Sequence, residues 1–299
     1  MKHAYLIVAH NEFEILKKQM MLLDDPRNDF YIHIDKKVKD FPFDTFHFFL
    51  KHSKVHYIDR LDIRWGDFNM IRCELRLLDA AVKGNYHYYH LLSGVDLPIK
   101  SNDAIHDFFR ENDGKELVQY WPMVDQYLVN RTGRFHLIHM KTSRFPIVRK
   151  LSKLAYLPIR ALHRCGYMRK WDPRRTFAYG GNWFSITHDL ACHVLEQKKW
   201  ICKRFRMTEC ADEVFLQSIV ADSGFRENLY YSEVERNCIG NMRMVDWVRT
   251  NGKNPWTFRM EDYEAIIHSP YLFARKFSTA VDAQVVERIY AYVKDKNEK

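Results

Sequence analysis

No Asp-x-Asp triplet occurs in the 299 residues of this chain. The paired carboxylates that often hold a divalent metal on a nucleoside diphosphate are therefore missing from the sequence. Long apolar runs are missing too, and none approaches the roughly 20 residues that cross a bilayer. The opening MKHAYLIVAHNE is too short in its apolar part for a secretion signal, and His10 and Asn11 interrupt it. Six cysteines (Cys73, Cys165, Cys192, Cys202, Cys210, Cys238) form neither a C-x-x-C pair nor a tight framework. Reduced thiols are expected rather than disulfides or zinc. The chain has no internal repeat and no low-complexity linker.

What is present suits a folded domain. With 46% hydrophobic and 28% charged residues, the chain can bury a sizeable core and is not disordered. Its 17 Tyr and 7 Trp are mostly core candidates, with some free to cover the apolar face of a sugar ring. The net charge of +9 is concentrated in residues 141–175, which hold eleven Lys or Arg and one acid, Asp172. The remainder is close to neutral. The same segment carries Phe145, Ile147, Val148, Leu151, Leu154, Leu157, Ile159 and Leu162. A basic, partly amphipathic stretch suits an anionic membrane surface or a lipid-phosphate acceptor. A solvated loop is the competing reading. Nucleic acid is disfavoured because no recognition motif accompanies the charge.

Strand and helix patterns alternate along the chain. Residues 4–9 (AYLIVA), 30–35, 55–58, 86–92, 117–121 and 183–186 read as strands. Helical spacing follows Asn11, a candidate cap, with Phe13, Leu16, Met20 and Leu23 on one face. Further helices are expected over 67–83, 102–110, 189–197, 213–221 and 281–294. This order predicts an α/β fold with a mostly parallel sheet flanked by helices. The simplest organisation is one domain over 1–299. Its two halves are 1–122 and 176–299, and the basic insert 141–175 stands between them.

Four segments carry chemistry. YYHLLSGVDLPIKS (residues 88–101) ends a strand in a turn with Asp96 and Pro98. GGNWFS (180–185) enters a later strand. ECADEVFLQSIV (209–220) places Asp212 and Glu213 where a helix begins, a common place for acids on dipole grounds alone. SPYLFARKF (269–277) supplies the cations Arg275 and Lys276. Together and in this order they resemble the core-2/I-branching sugar transferases, glycosyltransferase family 14. That family shares an S-G-x-D-x-P-x-K-S/T turn, a G-[SG]-x-W strand entry, a P-D-E-x-[FYL]-[LFW] segment and an S-x-x-L-F-A-R-K-F-D stretch. Here Ala211 replaces the proline and Ser278 the final Asp. The likeness runs from about Tyr5 to Tyr290. It is interrupted by the basic segment and by residues 241–255.

The resemblance implies a GT-A-like, Rossmann-type fold and an inverting, metal-independent transfer from a UDP-sugar, with UDP-GlcNAc favoured. It makes Glu213 the catalytic base. Lys276, beside Arg275, contacts the donor phosphates, and a second cation is Lys253 or Arg259. His10, Asp35 and Trp65 (in RWGDF) would bind the nucleoside part of the donor. Asp96, Trp183 and Trp247 would serve the acceptor, although Trp183 is equally open to a packing role. No cofactor or metal is expected. The acceptor would be a glycan or lipid-linked glycan hydroxyl, in the manner of a bacterial member at work on surface polysaccharide. The chain would then be cytoplasmic, or peripheral on the inner membrane face through 141–175. Two rivals remain: a xylosyltransferase or other UDP-sugar transferase of the same fold, and a non-catalytic polyanion- or carbohydrate-binding protein.

Overall fold

The run HAYLIVA forms β1 (His3–Ala9), buried along its whole length in a computed structural model of the protein. The described residues are 1–122, 125–170, 174–233, 239–252 and 254–299, without the side chains of 125–127 and 139. Side chains of β1 alternate between two cores. Ala4, Leu6 and Val8 enter one; Tyr5, Ile7 and Ala9 enter the other. A strand covered on both faces is apolar throughout, which is why this one reads as a continuous run. Each fully buried Leu or Ile here gains about 1.5–3 kcal/mol.

The further strands are β2 (Asn28–Ile34), β3 (Val55–Tyr57), β4 (Tyr88–Ser93), β5 (Leu97–Pro98), β6 (Leu117–Val118), β7 (Phe184–Thr187), β8 (Arg243–Val245) and β9 (Phe273–Arg275). The helices are α1 (Phe13–Leu22), α2 (Asn69–Ala81), α3 (Asn102–Glu111), α4 (Asp125–Gly133), α5 (Ile138–Lys141), α6 (Pro146–Arg164), α7 (His188–Glu196), α8 (Lys198–Phe205), α9 (Phe215–Ala221), α10 (Tyr263–Ile267) and α11 (Thr279–Asn297). The main sheet runs β3-β2-β1-β4-β7-β6. Its first four strands are parallel, and β7 then pairs antiparallel with both β4 and β6. A small second sheet runs β5-β9-β8. This is the α/β architecture with a mostly parallel, helix-flanked sheet that the alternation of strand and helix predicts.

Register places the site. Ala9 pairs with Ile34 and Val8 with Ser93, so β1, β2 and β4 end together at one carboxyl edge. In open α/β sheets that edge is where ligands bind. The chain leaves β4 pressed against β1, and a Cβ on Gly94 would stand 2.7 Å from the Ala9 Cβ. Glycine alone makes so close a crossing without displacement. The second sheet is tied to the first by Arg243, which is fully buried. Its guanidinium donates to the Phe184 carbonyl (2.7 Å), the Ser185 hydroxyl (3.0 Å) and the Leu91 carbonyl (3.3 Å). Burial pulls its pKa down to about 9.

Several local expectations are corrected. Asn11 does not cap α1. Glu12 holds the N-cap position in a left-handed conformation, and its carboxylate instead accepts from Ser278 and Thr279 at the start of α11. The Ser at position 278 thus ties the last helix to the first. The expected strand over 117–121 stops at Val118, because Gln119 and Trp121 turn to meet the Gly180 strap. Asp212 and Glu213 do not begin a helix. They sit in a 3-10 turn, Ala211–Glu213, one residue short of α9. Within the basic insert, residues 146–164 are helical.

Candidate active site

A cavity of about 630 Å³ opens at the carboxyl edge of the sheet. Its wall includes His10, Asp35, Trp65, Trp183, Glu213, Trp247, Arg275 and Lys276. The structure therefore brings eight of the expected site residues to one place. Lys253 lies outside the described residues. Its rival Arg259 is not in the wall; its guanidinium lies 5.4 Å from the Trp256 ring centre. Asp96 is also absent from the wall. It is 2% exposed, and its carboxylate accepts from Ser93 N (2.8 Å), the Ser93 hydroxyl and Arg275 Nη1 (2.9 Å). A carboxylate so enclosed holds Arg275 in place.

Glu213 is delivered by local backbone geometry. The chain approaches through Cys210 in the left-handed region (φ 46°), and the 3-10 turn then lifts the carboxylate off the end of α9. Gly180 N donates to the Glu213 carbonyl (3.0 Å). A Cβ on Gly180 would stand 1.8 Å from the Gln119 carbonyl oxygen, so the strap that holds Glu213 requires glycine. The Glu213 carboxylate pairs with Arg131 from α4 and accepts from the Tyr179 phenol. Burial raises its pKa above the ordinary value, and Arg131 and Tyr179 oppose that rise. The neighbouring Asp212 is pushed to about 7 by burial and by Glu213, against a weak contact from Asn182. Two carboxyl groups this close resist being charged together.

The cationic side lies opposite in the sequence but joins the same cavity. Arg275 is compensated by Asp96, and its guanidinium covers the Trp183 ring at 4.5 Å. Trp183 is 9% exposed, so it packs beneath Arg275 and also contributes to the wall. Lys276 differs from its neighbour. Among the described residues its ammonium has no hydrogen-bond or ion-pair partner, while burial and Arg275 lower its pKa. An uncompensated ammonium facing a cavity is suited to an anionic group.

At the nucleoside edge, Asp35 is 3% exposed and held by backbone donors, Lys37 N (2.8 Å) and Ile63 N (3.2 Å). Lys37 Nζ stands 3.2 Å from the same carboxylate. Partial burial lowers the pKa of His10 below its ordinary value, and Asp35 opposes that shift. Trp65 is 78% exposed and stands on the rim. Trp247 meets Trp121 edge-to-face at 6.3 Å, and Trp121 meets Tyr179 at 5.0 Å. Trp121 and Trp247 line the cavity with Glu213, and Tyr179 packs against Trp121. Arg131, Tyr179 and Trp121 escaped the sequence reading. Trp121 was visible only as the end of a strand, and nothing in the spacing of Arg131 or Tyr179 signals contact with Glu213. Among the described residues, no group of three or more His, Cys, Asp or Glu side chains is arranged to hold a metal ion.

The crystal structure of apo mouse xyloside xylosyltransferase 1 aligns over 92% of this chain and 97% of its own, at 10% identity and a TM-score of 0.37. A cytidylyltransferase from Leptospira borgpetersenii serovar Hardjo-bovis aligns over 71% of each chain, at 15% identity and a TM-score of 0.31. Overlaps this loose carry no argument about activity. A search of curated proteins finds no match. The Core-2/I-branching enzyme family model matches residues 3–267, which take in the cavity residues above other than Arg275 and Lys276. The chain belongs to the Core-2/I-branching enzyme family of glycosyltransferases.

Proposed function

We propose that the protein transfers a sugar from a UDP-sugar to a glycan hydroxyl with inversion, using Glu213 as base and Lys276 as the main phosphate cation. The observation that carries this reading is the meeting of Glu213 and Lys276 in one cavity at the carboxyl edge of β1, β2 and β4. His10 and Asp35 take the nucleoside end. Arg275, tied to Asp96, frames the diphosphate, and Lys276 is free to balance its charge. The aromatic pair Trp121 and Trp247 takes the acceptor sugar.

In the proposed step Glu213 removes the proton of the acceptor hydroxyl. The oxygen bonds to the anomeric carbon from the side opposite UDP, and the bond to the diphosphate oxygen breaks. The electron pair leaves with UDP, whose added charge Lys276 stabilises. Burial raises the proton affinity of this base, and Arg131 limits the rise. The absence of an Asp-x-Asp triplet, together with a Lys276 ammonium that has no partner among the described residues, supports transfer without a metal. UDP-GlcNAc as donor, a sugar 6-hydroxyl as acceptor and a role in bacterial surface polysaccharide extend the family resemblance to this chain.

Glu213→Gln keeps the shape of the site and removes the base. It is expected to lower transfer by about 10²–10⁴-fold while UDP affinity by calorimetry stays within a few-fold of wild type. A fully active variant overturns the assignment. The same titration in EDTA and then in manganese tests the metal: binding only with manganese would remove Lys276 from its role.

A further inference from the structure

Helix α6 is turned inside out relative to an ordinary surface helix. Such a helix buries its apolar stripe and exposes its polar face. Of the 19 residues of α6 only Ser152 is buried. The side facing the protein is held by polar contacts. The Tyr156 hydroxyl accepts from Leu137 N (2.7 Å), the His163 ring accepts from Phe135 N (3.2 Å), and Arg149 donates to the Ser143 carbonyl (2.8 Å). Ile147, Leu151, Leu154 and Leu162 recur at helical spacing on the outer side, with Leu154 65% and Ile147 64% exposed. Phe145, just before the helix, continues the stripe. Exposed apolar stripes of this length mark a surface that is covered in use.

Charge identifies the cover. α6 contains no acid, and Lys150, Lys153, Arg160 and Arg164 run along one flank of the stripe. Apolar residues beside a row of cations are what an anionic bilayer surface takes: the stripe enters the acyl boundary and the cations meet lipid phosphates. Among the described residues no helix is long and apolar enough to cross a membrane, so α6 could only lie along the surface. Its start is joined to the cavity. Thr142 and Arg144 line the same wall as Glu213, and Arg144 stacks on Phe145 at 4.9 Å.

We propose that α6 lies in the headgroup layer of an anionic bilayer, and that the acceptor hydroxyl reaches Glu213 on a glycan anchored in that bilayer. The acceptor part rests on the transferase reading above; the docking part does not. Thr142 and Arg144, just ahead of the docked helix, line the cavity, so a lipid-borne sugar would enter it without leaving the membrane.

The test is flotation of the full chain with phosphatidylcholine vesicles, with and without phosphatidylglycerol. Wild type is expected to float with the anionic vesicles, to be released by high salt, and to bind neutral vesicles weakly. The double variant Leu151→Glu, Leu154→Glu is expected to lose about tenfold or more in partitioning, with unchanged UDP binding and thermal midpoint. Equal partitioning of the two proteins, or no flotation of wild type, overturns the proposal. A concentration-dependent dimer that the double variant abolishes overturns it as well, because a second copy would then cover the stripe. Flotation does not depend on catalysis, so a wild-type protein that floats but neither binds UDP nor transfers sugar would sink the transferase reading and leave docking standing. Intact transfer to a water-soluble acceptor with no flotation would do the reverse.

Discussion

Replacing His3 by Phe should make the protein more resistant to acid, and the size of the effect follows from three stacked rings. His3, on β1, is fully buried, lies 4.1 Å from the His106 ring and 4.8 Å from the His90 ring, and meets Phe109 edge-on at 5.2 Å. Among the described residues, neither nitrogen of His3 has a hydrogen-bond partner. Burial, then His90 and His106, hold its pKa well below 6.5. The imidazole is therefore neutral in the folded protein while the unfolded chain takes up a proton as the pH falls through 6.5. Between those two pKa values the unfolded state binds more protons, so stability is present above pH 6.5 and is lost toward acid. At 1.36 kcal/mol per pKa unit, one such group costs about 2 kcal/mol on going from pH 7 to pH 5. Phe keeps the planar packing and removes no hydrogen bond. Urea unfolding followed by tryptophan fluorescence at both pH values should show His3→Phe losing about 2 kcal/mol less than wild type. An identical acid loss in the two proteins would refute the reasoning. It would mean that His3 takes up its proton equally in the folded and unfolded states.

Glu74, on α2, is fully buried, and among the described residues neither carboxylate oxygen has a hydrogen-bond partner. Burial and Asp212 raise its pKa well above 4.5, so its unfavourable contribution begins there and grows with pH by about 1.4 kcal/mol per unit until the folded group ionises. Glu74→Gln should raise the melting temperature at pH 8 and leave it unchanged at pH 4, as measured by differential scanning fluorimetry; equal gains at both would rule out ionisation as the cause. Arg131→Met removes the cation that holds the Glu213 pKa down. The acid limb of the transfer rate should move up by about 1–3 pH units, and an unmoved limb in a UDP-release assay would show that another group titrates.

How much of this the sequence disclosed depends on the range of the interactions. AYLIVA and YYHLLS were legible as strands because burial on both faces writes itself into consecutive residues. His10 and Asp35 followed from them, since parallel register fixes where strands end. Lys276 and Glu213 were legible through their motifs, but the form of the turn before α9 was not. It depends on a left-handed Cys210, for which the sequence offers no glycine. Arg131 was illegible for a different reason. Its contact with Glu213 spans 82 residues and is set by the packing of α4, which no local period encodes. Asp96 showed the converse failure. Its position in the family turn was legible, but its enclosure by Ser93 and Arg275 depends on β9, far away in the chain. The basic insert announced its charge at once, yet only the folded helix shows which side faces out.

The placement of β9 between β5 and β8 has a consequence for the life of the chain before it is complete. The nucleoside edge and Glu213 belong to segments made earlier, whereas Arg275 and Lys276 come with the last strand. A nascent polypeptide could assemble most of the main sheet and still be unable to grip a diphosphate. The same holds for a molecule clipped by a protease ahead of β9. On the transferase reading proposed above, such fragments would not hold the nucleotide donor.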